Sequence, residues 1–205
     1  MPLVATRSNA GAFGLGWGAA GAAEELGGMV LLTPTSIAYT GTSATVGANG
    51  SVEFTACSSL SLNGVFSADY DNYMISARTQ KSANVVLFGR LRASGTDESS
   101  ASNYYTDQYL YANGTTVGAA RTTRNQWYIA YLDSALRNGF VAYWYGPHLA
   151  QPTAGRTVAA DSYLNAETID SAYTHSLSNS YDGFTLLPAS GTVTGLVSVY
   201  GLVGA

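Results

Sequence analysis

The sequence is poor in charge. Charged residues make up 11% of the chain, against about 25% in an ordinary globular protein. Disordered chains need charge and lack aromatics, so a chain with fifteen tyrosines and 46% hydrophobic residues is not of that class. Lysine is nearly absent, Lys81 being the only one. A free monomer keeps itself soluble with Lys, Glu and Asp. A surface built instead from Ser, Thr, Asn, Gly and Tyr suits a permanent assembly, where buried charge would be costly. The alternative is an extracellular domain of low charge. The net charge of −4, with eight arginines scattered along the chain, argues against a nucleic-acid partner, which needs clustered basic residues.

Other absences narrow the chemistry. A single cysteine, Cys57, cannot form an internal disulfide and reads as a small buried residue. Only two histidines exist, His148 and His175, and with one distant cysteine they have no metal-ligand spacing. The chain has no G-x-S-x-G elbow, no P-loop and no strand-to-helix G-x-G-x-x-G. The apolar run Met29–Thr33 is far too short to span a bilayer, so no membrane insertion is expected. Arg7 is followed by glycines rather than an apolar run and cleavage site, which points to a product made in the cytosol.

Period-two alternation is what the chain has in quantity. In Tyr73–Thr79, residues Tyr73, Ile75 and Ala77 share a face. In Val85–Ala93, Val85, Leu87, Leu91 and Ala93 share one face, and Val86, Phe88, Arg90 and Arg92 the other. Tyr104–Ala112 carries tyrosines at 105, 109 and 111. Trp127–Leu132 places Trp127, Ile129 and Tyr131 together, and Phe140–Tyr145 is the most aromatic strand. Shorter strands are expected at Ser51–Thr55, at Leu60–Phe66 around an Asn63-Gly64 turn, at Arg156–Leu164 and at Glu167–Leu177. Phe184–Leu187 and Leu196–Leu202 close the chain as a hairpin. Residues 113–123 read as a polar loop, and Asp133–Arg137 as a short helix. Ten or so short strands at this spacing predict an all-β fold, an antiparallel β-sandwich of jelly-roll type.

The first thirty residues differ. They are mostly Gly and Ala, with Phe13, Leu15 and Trp17 at alternate positions and a short helix expected at Ala19–Leu26. Three large apolar groups alternating with glycine suit an arm that docks on a partner in extended form. Residues 33–50 read as a linker with weak strand character. The expected division is an anchoring arm and linker over 1–45 and a β-sandwich domain over 46–205.

Candidate sites follow from the side chains that a single core does not need. The Asp69–Asn72 cluster offers oxygen ligands but lacks the EF-hand pattern and reads as turn chemistry. Asp133, Asp161, Asp170 and Asp182 have no spacing that pairs them for glycoside hydrolysis. No catalytic residue, metal or cofactor is expected. The aromatics Tyr104, Tyr105, Tyr109, Tyr143, Trp144 and Tyr145 are the candidate ligand or subunit interface, since such rings gather at interfaces and stack on sugars.

The segment LSLNGVFSADYDNYMI (Leu60–Ile75) resembles a strand-turn-strand of tailed-bacteriophage virion proteins, with an "L…VF…YDNY" pattern. Its sequel also fits: an arginine-bearing strand, GRLRASGTD (Gly89–Asp97), then Asn103 and Tyr104. The closing FTLLPASGTVTGLVSVYG (Phe184–Gly201) is similar to their final hairpin, and AGAFGLGWG (Ala10–Gly18) to their glycine-rich anchoring head. The resemblance implies a virion structural protein with a jelly-roll-like domain, a tail-fibre or minor tail appendage that binds the host surface. A capsid decoration or head-fibre protein is the alternative, and a free carbohydrate-binding module a further one. It also implies a homo-oligomer, commonly a trimer, with the arm (Phe13, Leu15, Trp17) held by other virion proteins and a host glycan as ligand.

Overall fold

The computed structural model describes residues 7–9, 11–13, 28–100, 102–112, 115–132, 137–160 and 168–203. Strands fill most of them and no helix is present among them. β1 (Arg7–Asn9) and β2 (Gly11–Phe13) pair with each other. The other strands form one curled antiparallel sheet: β3 (Gly28–Leu32), β4 (Ser36–Val46), β5 (Val52–Asn63), β6 (Asn72–Lys81), β7 (Val85–Ala93), β8 (Thr96–Asp97), β9 (Tyr104–Ala112), β10 (Thr115–Arg124), β11 (Trp127–Leu132), β12 (Arg137–Tyr145), β13 (Thr153–Ala160), β14 (Thr168–His175), β15 (Gly183–Pro188) and β16 (Val193–Val203). Their spatial order is β10-β9-β14-β13-β12-β6-β16-β5-β15-β7-β11, with β3 on β16, β4 on β5 and β8 on β7. The sheet curls until β11 packs across β12, β13, β14 and β9. Two layers thus face each other as a β-sandwich.

The core lies between the layers. Tyr73, Ile75 and Ala77 of β6 face inward, as their alternation requires, as do Leu87 and Leu91 of β7. Buried rings meet where β11 covers β13 and β14. Trp127 stacks on Tyr173 at 4.7 Å, and meets Trp144 and Tyr104 edge-on, each at 5.3 Å. The polar tips of these four rings have partners. Trp127 Nε1 donates to Thr174 O at 2.8 Å, Trp144 Nε1 to the Tyr173 hydroxyl at 2.7 Å, and Tyr104 Oη to Glu98 O at 2.7 Å. Satisfied tips let large amphipathic rings sit in a core without the cost of an orphaned donor.

Several expected elements differ in instructive ways. The expected strands at Ser51–Thr55 and Leu60–Phe66 fall on one bent strand, β5, which ends at Asn63 so that Gly64–Phe66 lie beyond it; its first half pairs with β16 and its second half with β15. The bend sits at Ala56, where φ is 48° and the β4 partner register shifts between Thr40 and Gly41. A strand of twelve residues would span about 40 Å if straight. Here the short connection before β4 bridges both ends: Thr33 lies against Gly50, and Thr35 N–H donates to Asn63 O at 2.9 Å. The segment read as a linker is largely β4, eleven residues paired along β5. The polar loop at 113–123 is mostly β10, and the helix expected near Asp133 meets β12 at Arg137, its other residues lying outside the described ones.

The closing hairpin is also absent, because β5 lies between β15 and β16. Their connection crosses between layers beside that of β6 and β7. Ser82 N–H donates to Thr192 O and Ala189 N–H to Val86 O, both at 2.9 Å. In β11 a bulge leaves Ile129 without a partner opposite β7. The added residue shifts the alternation, so Ile129 and Ala130 are both buried and Tyr131 turns to solvent.

Candidate functional site

Strand parity divides the six candidate aromatics. Tyr104 and Trp144 face the core, fully buried among the rings described above. Tyr143 and Tyr145 flank Trp144 on the same strand and point the opposite way, 39% and 45% exposed. The pairing register puts Tyr145, Ala154, Thr174 and Tyr105 in one row across β12, β13, β14 and β9. The next row holds Tyr143, Arg156 and Ala172, and the one after it Val141, Val158 and Asp170, with Tyr109 opposite Asp170 in register. Tyr105 is half-buried; the side chain of Tyr109 lies outside the described residues.

These rows form an open surface on paired strands. A shallow depression of about 320 Å³ lies between Tyr143, Tyr145, Arg156 and Val158. Arg156 Nε donates to Asp170 Oδ1 at 2.9 Å, and its Nη2 pairs with Oδ2. This two-point contact holds the guanidinium plane fixed across β13 and β14. The bond to Arg156 holds the Asp170 carboxyl below the usual carboxylate range, so it stays ionised as an acceptor through mildly acid conditions. Tyrosines two residues apart on one face of a strand sit about 7 Å apart. Each offers an apolar ring face and a polar hydroxyl tip. The set can stack on the C–H faces of a polyhydroxylated ligand and hydrogen-bond its hydroxyls.

Arg156, Val158 and Asp170 carry this surface, yet little in the sequence singles out β13. Its inward residues are small: Gly155, Thr157 and Ala159. A Cβ on Gly155 would meet Tyr173 Cε2 at 2.4 Å and Trp144 Cδ1 at 3.0 Å. Two large rings fill the space beneath β13, so the strand above them must be thin, and its alternation is faint.

The other candidates are dispersed. Asp69 is exposed and accepts a bond from Ser67 Oγ at 3.0 Å, in a turn tied by the Tyr73 hydroxyl to Ser67 and Tyr70. Asp97 pairs with Arg92, and Asp182 accepts from Ser94 N–H. Cys57 is buried in the β5 bend, its Sγ 3.4 Å from Ser43 O, and burial raises its thiol pKa. His175 is buried between Tyr104 and Tyr181, while His148 lies 3.3 Å from Tyr181 O. Among the described residues no three His, Cys, Asp or Glu side chains converge to hold a metal ion. Phe13 ends β2 opposite Arg7; Leu15, Trp17 and the helix expected at Ala19–Leu26 lie outside the described residues.

No protein-family model matches the chain, and no curated protein does. Among solved structures it is similar to domain 4 of AbnA, a GH43 extracellular arabinanase from Geobacillus stearothermophilus, in complex with arabinotriose. The identity is 10% and the TM-score 0.30, over 86% of this chain and 82% of that one. What the tyrosine face can hold follows from its own residues.

Proposed function

We propose that the chain is a structural protein of a tailed-phage virion, a tail-fibre or minor tail appendage that displays its sandwich outward and binds a host-surface glycan. The observation that carries the binding role is the open face of Tyr143, Tyr145 and the Arg156–Asp170 pair over its depression. Because the face stands on paired strands, a ligand pays little to order it. Purified protein is expected to bind host cells or their extracted surface polysaccharide. The double variant Tyr143→Ala, Tyr145→Ala is expected to lose that binding at unchanged melting temperature. Retention of binding by the double variant rejects this face as the glycan site.

The attachment role rests on the arm with Phe13, Leu15 and Trp17. β3 starts at Gly28 and pairs with β16, so the cut that spares the sheet removes residues 1–27. The truncated protein is expected to fold and to be missing from particles assembled in its presence. Incorporation at full occupancy removes the anchoring role. A second reading, a decoration or head-fibre protein in a homo-oligomer, is favoured by β4. This strand has eleven mostly exposed residues with no charge and no proline, and its only partner among the described residues is β5. Such an edge invites pairing with another chain. Labelled protein found on tailless heads supports that reading, and on isolated tails the first.

A further inference from the structure

The tyrosine face has a polar edge as well as an aromatic one. β12 brings Tyr143 and Tyr145 to the depression, and β13 brings Arg156 and Val158. Tyr143 stands opposite Arg156. The ion pair then reaches on to β14, because Asp170 stands opposite Val158, the next outward residue of β13 after Arg156. The side chains of Arg156 and Asp170 are 59% and 33% exposed, so a molecule in the depression can reach both. Among the described residues each has the other as its only hydrogen-bond or ion-pair partner.

The pair keeps hydrogen-bonding capacity after the two groups have met. Nε–H and one N–H of Nη2 go to Asp170. A guanidinium has further N–H donors, and a carboxylate further lone pairs. Because Nη2 bonds Oδ2, the second N–H of Nη2 and the outer lone pair of Oδ2 lie side by side. The result is a fixed donor beside a fixed acceptor. A carboxylate or sulfate gains little from it, since it would compete with Asp170 for the guanidinium and meet a like charge. Hydroxyls fit better, because each can both donate and accept. On adjacent carbons of a sugar ring, one hydroxyl can accept from Arg156 while its neighbour donates to Asp170. Both bonds are charge-assisted, hence stronger than bonds between neutral groups. At about 320 Å³ the depression lies at the low end for ligand sites, which suits a short stretch of chain. Resting on the glycan reading above, we propose that the ligand is a neutral glycan, selected by two free hydroxyls on adjacent ring carbons. A ring face stacks on Tyr143 and Tyr145, and the hydroxyl pair on its edge bridges Arg156 and Asp170. The tyrosines supply affinity for sugar rings at large; the ion pair chooses among them.

The test titrates the full chain with size-matched oligosaccharides, all O-methylated at their end residues. In an O4-linked galactan every inner residue keeps two adjacent hydroxyls; in an O3-linked galactan none does. An O4-linked galacturonate adds a carboxylate to the first pattern. The O4-linked galactan is expected to bind about tenfold tighter than the O3-linked one, and the galacturonate no tighter than the O4-linked galactan. The double variant Arg156→Ala, Asp170→Ala is expected to bring the two galactans to one affinity. Arg156→Lys, which keeps the charge but loses the planar fork, is expected to lose most of the preference, while Tyr143→Ala weakens all three probes. Equal binding of the galactans, the reverse order, a tighter galacturonate, or a preference that survives in either arginine variant overturns the hydroxyl-pair assignment and leaves the glycan reading standing. If no probe binds, or Tyr143→Ala changes none of the affinities, the glycan reading falls and this assignment with it.

Discussion

The two faces of β12 differ more than most neighbouring surfaces of one strand. Inward, Phe140, Ala142 and Trp144 are buried, and Trp144 packs against Trp127, Phe66 and Phe184 and donates to the Tyr173 hydroxyl. Outward, Val141, Tyr143 and Tyr145 meet solvent, and nothing in the domain explains the two tyrosines. Successive residues of similar chemistry thus serve separate ends. Trp144 is accounted for by stability, whereas Tyr143 and Tyr145 are left for a ligand or a partner. An aromatic residue's type says little about its role; its parity on the strand says most.

The sharpest way to break that comparison is to truncate one ring on each side. Trp127→Ala removes a fully buried ring that meets the rings of Tyr104, Trp144, Tyr173 and His175, and is expected to cost about 4 kcal/mol by urea unfolding. Tyr143→Ala is expected to stay within about 0.5 kcal/mol of wild type. A large loss at Tyr143 would place the outer face inside a packed structure and end its reading as an open surface.

A smaller but still large effect is expected at the other layer. Arg92 is mostly buried, donating to Ser61 Oγ at 3.0 Å and Thr185 Oγ1 at 2.8 Å and pairing with Asp97. Removing it takes a charged donor from each of those groups and leaves the partly buried carboxylate with the Thr185 hydroxyl at 2.6 Å and the more distant Arg90 at 3.9 Å, so Arg92→Ala is expected to destabilise by about 3 kcal/mol. Arg156→Ala, which breaks an exposed pair, is expected to cost less than about 1 kcal/mol. Equal losses would mean that the two arginines do not differ as their surroundings require.

The smallest effect is a pH dependence. His175 is buried against the rings of Tyr104 and Tyr181, with Trp127 nearby and the Tyr181 hydroxyl 3.3 Å from its Nδ1. Burial lowers its pKa below 6.5, and the negative charge of Glu98 opposes that shift only in part. The folded state thus takes up the proton less readily than the unfolded chain. The stability it contributes is complete above the unfolded value near 6.5, and is lost as pH falls through that value toward the folded one. The melting temperature is expected to fall between pH 7 and pH 5, and His175→Phe to flatten that slope. An unchanged slope in the variant assigns the acid sensitivity to other groups.

How much of this was legible varied with burial. β7, β9 and β11 were expected at the boundaries they have, because each carries large residues in a strong alternation. β4 looked like a linker because both its faces are largely exposed, so nothing selects apolar residues at every second position. β13 looked weak because the rings beneath it demand glycine and small residues. Of the site, the tyrosines were visible as an excess of aromatics. Arg156 and Val158 were not, and Asp170 stood out only as one of four carboxylates with nothing to pair it, since their neighbourhood is a matter of register between strands.

The sequence by itself determined the class of the fold. Alternation, glycine turns and scarce charge leave an antiparallel all-β domain as the arrangement that buries its apolar residues and pairs its backbone. Only the tertiary structure decided which aromatics are core and which are surface, that β5 passes between β15 and β16, and that Tyr143 stands beside Arg156 on β13. Period two fixes that neighbouring residues face opposite ways, but not which way is inward. That choice depends on which strands pair and on where the sheet curls over itself. A single bulge, as at Ile129, reverses the answer for every residue after it.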